Sequence, residues 1–191
     1  MPSPIGHMLG GVIGGWLVAG RSGASNGSST WARWHRPDVR QAAGFAAVGA
    51  APDLDLLFGT HSTYTHSVGA VVLTALAVYA WSRGRRPRLA LACAAAVASH
   101  ILLDWLGSDT TPPIGIMALW PFTREFYQSP FFVFMAITRR WWLPQFYTWN
   151  VVAALRELAI LLPIAVVVGT VRRHGRKSEH PVPNCELDER Q

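Results

Sequence analysis

The 191-residue chain contains only two cysteines and no Cys-x-x-Cys pair, which excludes a thiolate zinc site. Cys93 sits in an alanine run and Cys185 in a polar tail, so a disulfide would require the tail to fold back. Charged residues are also scarce, at 15% against about 25% in soluble domains, whereas apolar residues reach 50%. No glycine-rich phosphate loop, nucleophile elbow or His-Glu-x-x-His occurs, which removes the commonest nucleotide-, serine- and zinc-protease chemistries. Mean hydropathy is +0.21 and nine tryptophans are present. This composition describes a small membrane protein with polar ends.

The net charge of +6 and pI of about 10.1 invite a nucleic-acid reading, but the arginines are gathered between apolar segments. They form the groups Arg21, Arg33, Arg36 and Arg40, then Arg83, Arg85, Arg86 and Arg88, then Arg172, Arg173 and Arg176 with Lys177. That is how cytoplasmic loops of a membrane protein are marked, so no nucleic-acid partner is expected.

Five apolar segments stand out, at residues 5–20, 41–58, 66–81, 89–106 and 151–171. The first four are near the lower limit of the ~17–25 residues that cross a bilayer; the last is the most continuous. Alanine, valine and leucine dominate, favouring helix over strand, and no solenoid-length repeat is visible. A flexible polar linker is expected at 21–40 and an aromatic, proline-rich region at 107–150. Residues 1–171 form one expected helical domain and 172–191 a polar, disordered tail. The first segment lacks the basic start and small-x-small site of a cleaved signal, so it is read as retained, with its N-terminus outside.

Placing the basic clusters inside gives one multi-pass topology, to which Arg139 and Arg140 are the exception. Seven ionisable residues then end near the outer face: His7, Asp53, Asp55, His61, His66, His100 and Asp104. Ionisable groups in apolar surroundings are costly unless they pair, line water or bind a metal. His100 and Asp104 share a helix face about 6 Å apart, which suits either metal ligation or a simple hydrogen bond. His61 and His66 flank a turn, with Thr65 or Ser67 available to cap the next helix. Asp53 and Asp55 point to different sides if the backbone is extended after Pro52, and capping competes with metal binding there. His7 alone fits a hydrogen-bonded interfacial histidine. Glu157 interrupts the last apolar segment and is placed to face a cavity, while Arg124, Arg139 and Arg140 suit either an anionic group or lipid headgroups. The tryptophans and phenylalanines between Trp120 and Trp149 read as an interfacial belt.

These motifs together resemble the YdjM-like family of membrane-bound metal-dependent hydrolases. The resemblance rests on P-I-G-H-M-L-G-G, P-D-L-D-L-L-F, H-S-T-Y-T-H-S, S-H-I-L-L-D-W and A-L-W-P-F, and covers residues 4–122. It implies a distant likeness to zinc-dependent phospholipase C. It also implies that His7, Asp53, His61, His66, His100 and Asp104 are metal ligands, with Asp55 a ligand or a supporting, catalytic carboxylate. The family's His-Arg-Gly-x-Thr-His-Ser is changed here, with Ser62-Thr63 in place of Arg-Gly.

The expectation is therefore an all-α integral membrane bundle of about five helices with a metal site near one face. Its function would be hydrolysis of a phosphoester, lipid-borne or small, by metal-activated water, with zinc the favoured divalent ion and no other cofactor. Asp55 or Asp53 would orient or deprotonate that water. The location is the inner (plasma) membrane, with lipid as the surrounding partner. The alternatives are a non-catalytic metal-binding membrane protein or ion transporter, and a purely structural use of the His/Asp set.

Overall fold

The computed structural model describes residues 1–19, 36–58, 61–110 and 112–177. Most of the expected linker, Cys185 and the tail beyond Lys177 lie outside them. Among the described residues the chain is all-helical, with five α-helices: α1 (Pro4–Ala19), α2 (Arg36–Ala50), α3 (Val68–Trp81), α4 (Pro87–Trp105) and α5 (Phe146–Lys177). Two 3-10 stretches, Ala51–Phe58 and Tyr64–His66, link α2 to α3. α2 starts at Arg36 rather than residue 41, with Pro37 in its first turn, where a missing N–H costs nothing. The α-helix yields to the tighter 3-10 form at Ala51, next to Pro52, whose ring supplies no amide hydrogen for an α-helical bond. α5 likewise continues past residue 171, so its basic end, expected in the tail, is helical to Lys177.

α1 is the central helix, packed on α2, α4 and α5, while α3 packs on α4. One apolar core joins Ile13, Leu103, Leu161 and Ala165 of α1, α4 and α5 to Phe134 of the segment between α4 and α5. A second joins Phe45 to Ala92, Cys93 and Ala96 between α2 and α4. α1 meets α2 at a glycine pair. A Cβ on Gly49 would lie 2.6 Å from the Gly11 Cα and 2.7 Å from the His7 carbonyl oxygen, so the two backbones touch with no room for a side chain.

α3 begins where Ser67 caps it through the amide of Ala70, as the sequence suggested. The amides of Val68 and Gly69 donate to the carbonyls of Ala118 and Trp120 at 2.8 and 2.9 Å. The segment between α4 and α5 thus supplies acceptors for α3's first turn. This segment is irregular apart from two isolated bridges, Gly107 with Phe134 and Ile116 with Tyr127. At the opposite end, Arg172 donates to Trp16 and, at 3.0 Å, to Gln41, tying α5 to α1 and α2.

Among the described residues two helices, α4 and α5, are long and apolar enough to cross a membrane; α1 and α3 are shorter apolar helices. Val72, Leu73 and Leu76 on α3 and Val152, Leu155 and Val166 on α5 are exposed. Outward apolar faces of this kind suit lipid rather than water.

The glycine contact yields a matched pair of expectations. Gly49→Ala should lower the melting temperature of the detergent-solubilised protein, since overpacking costs about 1–3 kcal/mol. Gly44→Ala, whose Cβ meets nothing within 4 Å, should leave it unchanged or raise it by the helix preference of alanine. Equal responses would show that the α1–α2 contact is not tight.

Candidate metal centre

Each of the four pieces of chain that reach this site does so for a local reason. His7 lies in the second turn of α1, whose start is held by Ser3. The Ser3 amide donates to Glu157 Oε1 at 2.7 Å and its hydroxyl donates to Oε2. Glu157 is fully buried and serves this anchoring contact rather than an open cavity. His100 and Asp104 lie one turn apart near the end of α4. Asp53 and Asp55 sit in the first 3-10 stretch and His66 ends the second. The arginines of the α3–α4 turn lie at the other end of these helices, away from the His/Asp set.

Five of the seven expected residues converge. His100 Nε2 is 3.0 Å from Asp104 Oδ2 and 3.0 Å from His66 Nε2. His66 Nε2 is 3.3 Å from Asp104 Oδ2, and His7 Nε2 is 3.4 Å from Asp104 Oδ1. Asp53 closes the group, with Oδ1 3.7 Å from both His66 Nε2 and His100 Nε2 and Oδ2 3.9 Å from His7 Nε2. The His7 and His100 rings stack with centroids 3.7 Å apart. Ligand atoms about 2 Å from a shared ion stand roughly 3–4 Å from each other, and the spacings of 3.0–3.9 Å here fall in that range.

Hydrogen bonds on the outer side of the rings decide what the inner side can be. His100 Nδ1 is 2.7 Å from the carbonyl oxygen of Gly49, an acceptor only, so Nδ1 carries the hydrogen. His66 Nδ1 lies 2.9 Å from Thr65 Oγ1, whose own hydrogen goes to Asp55, and 3.2 Å from Asp55 Oδ2, so it too is a donor. In the neutral rings both Nε2 atoms therefore present lone pairs to each other and to Asp104. Asp104 is 3% exposed, and neither of its oxygens has a conventional hydrogen-bond partner among the described residues. Lone pairs and carboxylates packed this way require positive charge between them. A divalent cation with three neutral imidazoles brings the two inner carboxylates to zero net charge. The donor set is nitrogen and oxygen only, which suits zinc, iron or manganese.

The remaining two expected residues form an outer layer. Asp55 Oδ1 accepts from His61 Nδ1 at 2.9 Å, and Oδ2 accepts from the Thr65 hydroxyl at 2.6 Å and from His66. The 3-10 backbone, with about 120° per residue, turns Asp53 and Asp55 apart without the extended conformation expected for them. Ligand atoms of Asp53, His61 and His66 do fall within 4.8 Å of one another, as do those of His7, Asp53 and His100 and of His66, His100 and Asp104. The His61 Nε2 nitrogen, however, faces Met1 Sδ at 2.8 Å and Arg139 Nη2 at 3.2 Å. It borders a cavity of about 780 Å³ lined also by Asp109, Arg140, Phe146 and Trp149. Gly49, Thr65 and Ser3 were not picked out as parts of the site from sequence, whereas Arg139 was named there as a candidate for an anionic group. A backbone acceptor and a hydroxyl leave no residue-type signature.

The two 3-10 stretches lie beyond the helix ends, where ionisation follows local contacts. Burial pushes the Asp55 carboxyl up, but hydrogen bonds from His66, Thr65 and His61 outweigh it and hold it at about 2. Burial pushes His66 down, yet the carboxylates of Asp53 and Asp55 raise it to about 9. Without a metal, a proton on His66 thus occupies the place of positive charge.

A family model described as YdjM inner membrane protein matches residues 1–175. Neither the curated proteins nor the solved structures contain a match to the chain.

Because His66 is raised above the ordinary 6.5, its stabilising charge is present below that value and lost as pH rises through about 9. Metal-free protein should therefore melt at lower temperature as pH climbs from about 6.5 to 9. Apparent zinc affinity should rise across the same window by up to about tenfold per unit, since binding displaces that proton. Thermal melts and competitive zinc titrations in detergent at stepped pH check both; a zinc affinity independent of pH would contradict the ligand role of His66.

Proposed function

That match makes the chain a member of the YdjM inner membrane protein family, and on that premise we propose that it is a membrane-bound metal-dependent hydrolase of phosphoesters. The proposed ligands are His7, Asp53, His66, His100 and Asp104, with zinc as the ion. The observation that carries this is the pair of facing Nε2 atoms 3.0 Å apart beside a buried carboxylate, each ring tied from behind by an acceptor. Rings oriented from behind by a carbonyl or a carboxylate are the usual setting of metal-bound histidines.

Zinc supplies Lewis acidity toward a phosphoryl oxygen and lowers the pKa of water. The chain supplies the rest. Asp53, with a side chain 21% exposed, is the most accessible of the five groups and faces incoming solvent. His61 is held by Asp55 so that Nδ1 donates and Nε2 is the proton acceptor, at the border of the cavity. It is the proton carrier of this reading, and Asp55, previously expected to act on water itself, positions it. The cluster's location at one end of α1, α3 and α4 supports a site at the membrane surface rather than an ion path through the midplane. With the basic turn at the far end taken as cytoplasmic, that surface is the outer one of a multi-pass protein.

Protein purified from membranes without chelator should carry at least one equivalent of zinc by elemental analysis. It should also hydrolyse a member of a panel of phosphomonoesters, phosphodiesters and phospholipids. His100→Ala and Asp104→Ala should each weaken zinc binding more than about 100-fold, beyond the range seen on losing a supporting group. Wild-type protein devoid of transition metal, or variants that bind it equally well, would overturn the ligand assignment. A metal-loaded protein inert on the whole panel would favour a binding role instead.

A further inference from the structure

The cavity beside the metal centre carries a feature that the ligand set does not use. Arg139 places Nη2 3.2 Å from His61 Nε2, and Arg139 and Arg140 share the cavity lining with Leu143, Phe146 and Trp149 and with Asp109, whose carboxylate accepts from the Gly115 amide at 3.1 Å. The position of Arg139 is built rather than incidental. Its preceding residues are strapped to the first turn of α5: Trp149 Nε1 donates to the Ala136 carbonyl at 2.7 Å. Asn150 accepts from the Thr138 amide at 2.8 Å and donates to its carbonyl at 2.9 Å. The Ile137 amide is also engaged, by the Met1 carbonyl at 3.0 Å.

The contact with His61 occupies one of five guanidinium N–H donors, and an imidazole offers it no negative charge. The positive charge of Arg139 is therefore not neutralised by its histidine partner. It stands one side chain from the cluster, because His61 and His66 share Asp55 and their ring centroids are 4.9 Å apart. A planar fork so placed matches two oxygens of a phosphoryl group. The apolar half of the cavity has its own chemistry: Leu143 and Trp149 are exposed, and α5 continues from there with the exposed Tyr147, Val151 and Val152. A ligand held by Arg139 would thus lie with its other end against apolar groups at the start of a helix able to span the membrane.

We propose that Arg139 is the anchor for the phosphoryl group of a substrate that is itself an amphiphile, headgroup toward His61 and apolar portion along Leu143, Phe146 and Trp149. This rests on the hydrolase reading of the same site and specifies its substrate class. Arg139 and Arg140 also cease to be an anomaly of charge placement: on this assignment arginine is kept at the site end of the bundle for the ligand.

The test is binding, measured by calorimetry on zinc-loaded, detergent-solubilised full-length protein with zinc content determined on each sample. The probes are inorganic phosphate, glycerol 3-phosphate and dioctanoyl phosphatidate. Phosphatidate should bind at least about tenfold more tightly than glycerol phosphate. Arg139→Gln should weaken phosphate and phosphatidate by about tenfold or more while zinc content stays at the wild-type level. Arg139→Lys, which keeps charge but loses the fork, should fall between. Unchanged phosphate binding in Arg139→Gln overturns the anchor, and equal affinity for glycerol phosphate and phosphatidate overturns the amphiphile. Loss of zinc from Arg139→Gln would mean that the residue supports the cluster instead, which also overturns the proposal. Absence of zinc from the wild type would defeat the hydrolase reading separately, before any ligand is added.

Discussion

The rest of this structure depends on one constraint: the Asp104 carboxylate and three imidazoles are packed where water cannot neutralise them, with the partly exposed Asp53 carboxylate closing the group at its edge. His66 and His100 are fully buried and His7 nearly so. Removing ions from water costs several kcal/mol each unless charge is matched locally. The protein meets this constraint from outside in. Gly49 and Asp55 hold hydrogens on the far sides of His100 and His66, which leaves the near sides electron-rich and calls for a cation. A proton on His66 is the smaller substitute, and the raised pKa of that ring expresses the same demand.

Helix packing and site chemistry are coupled through α1. The glycine contact that lets α1 touch α2 fixes the His7 backbone against Gly49, and Gly49 is also the acceptor that orients His100. One close approach thus places one proposed ligand and sets the tautomer of another. Glu157 extends the coupling to α5 by holding Ser3 at the start of α1. Helices that meet in lipid are not brought together by the hydrophobic effect, and there small residues and buried polar groups take on that task. Here the same residues also align the site.

Much of this was legible in the sequence, and the exceptions are instructive. Three apolar segments match α1, α3 and α4 within two residues, because composition and breaks such as Pro87 are local signals, while the second merged α2 with the 3-10 stretch after it and the last fell short of both ends of α5. Arginine placement put the seven His and Asp residues at one end, and the helices bring them there. The division of the seven into an inner five and an outer pair was not legible. It depends on a 3-10 turn after Pro52, where two carboxylates two residues apart face different neighbours. Nor could sequence place Arg139 against His61, a contact spanning 78 residues through an irregular segment. Long-range pairing in loops has no periodicity from which to read it.

The central claim is that imidazole nitrogens and carboxylate oxygens surround one metal with no sulfur among them. X-ray absorption spectroscopy at the zinc edge on protein purified from membranes addresses it directly. The expected spectrum shows only nitrogen and oxygen neighbours near 2.0–2.2 Å with the outer-shell scattering of about three imidazoles. It should change to about two imidazoles in His7→Ala. A sulfur shell near 2.3 Å, or a spectrum unchanged by His7→Ala, would contradict the account.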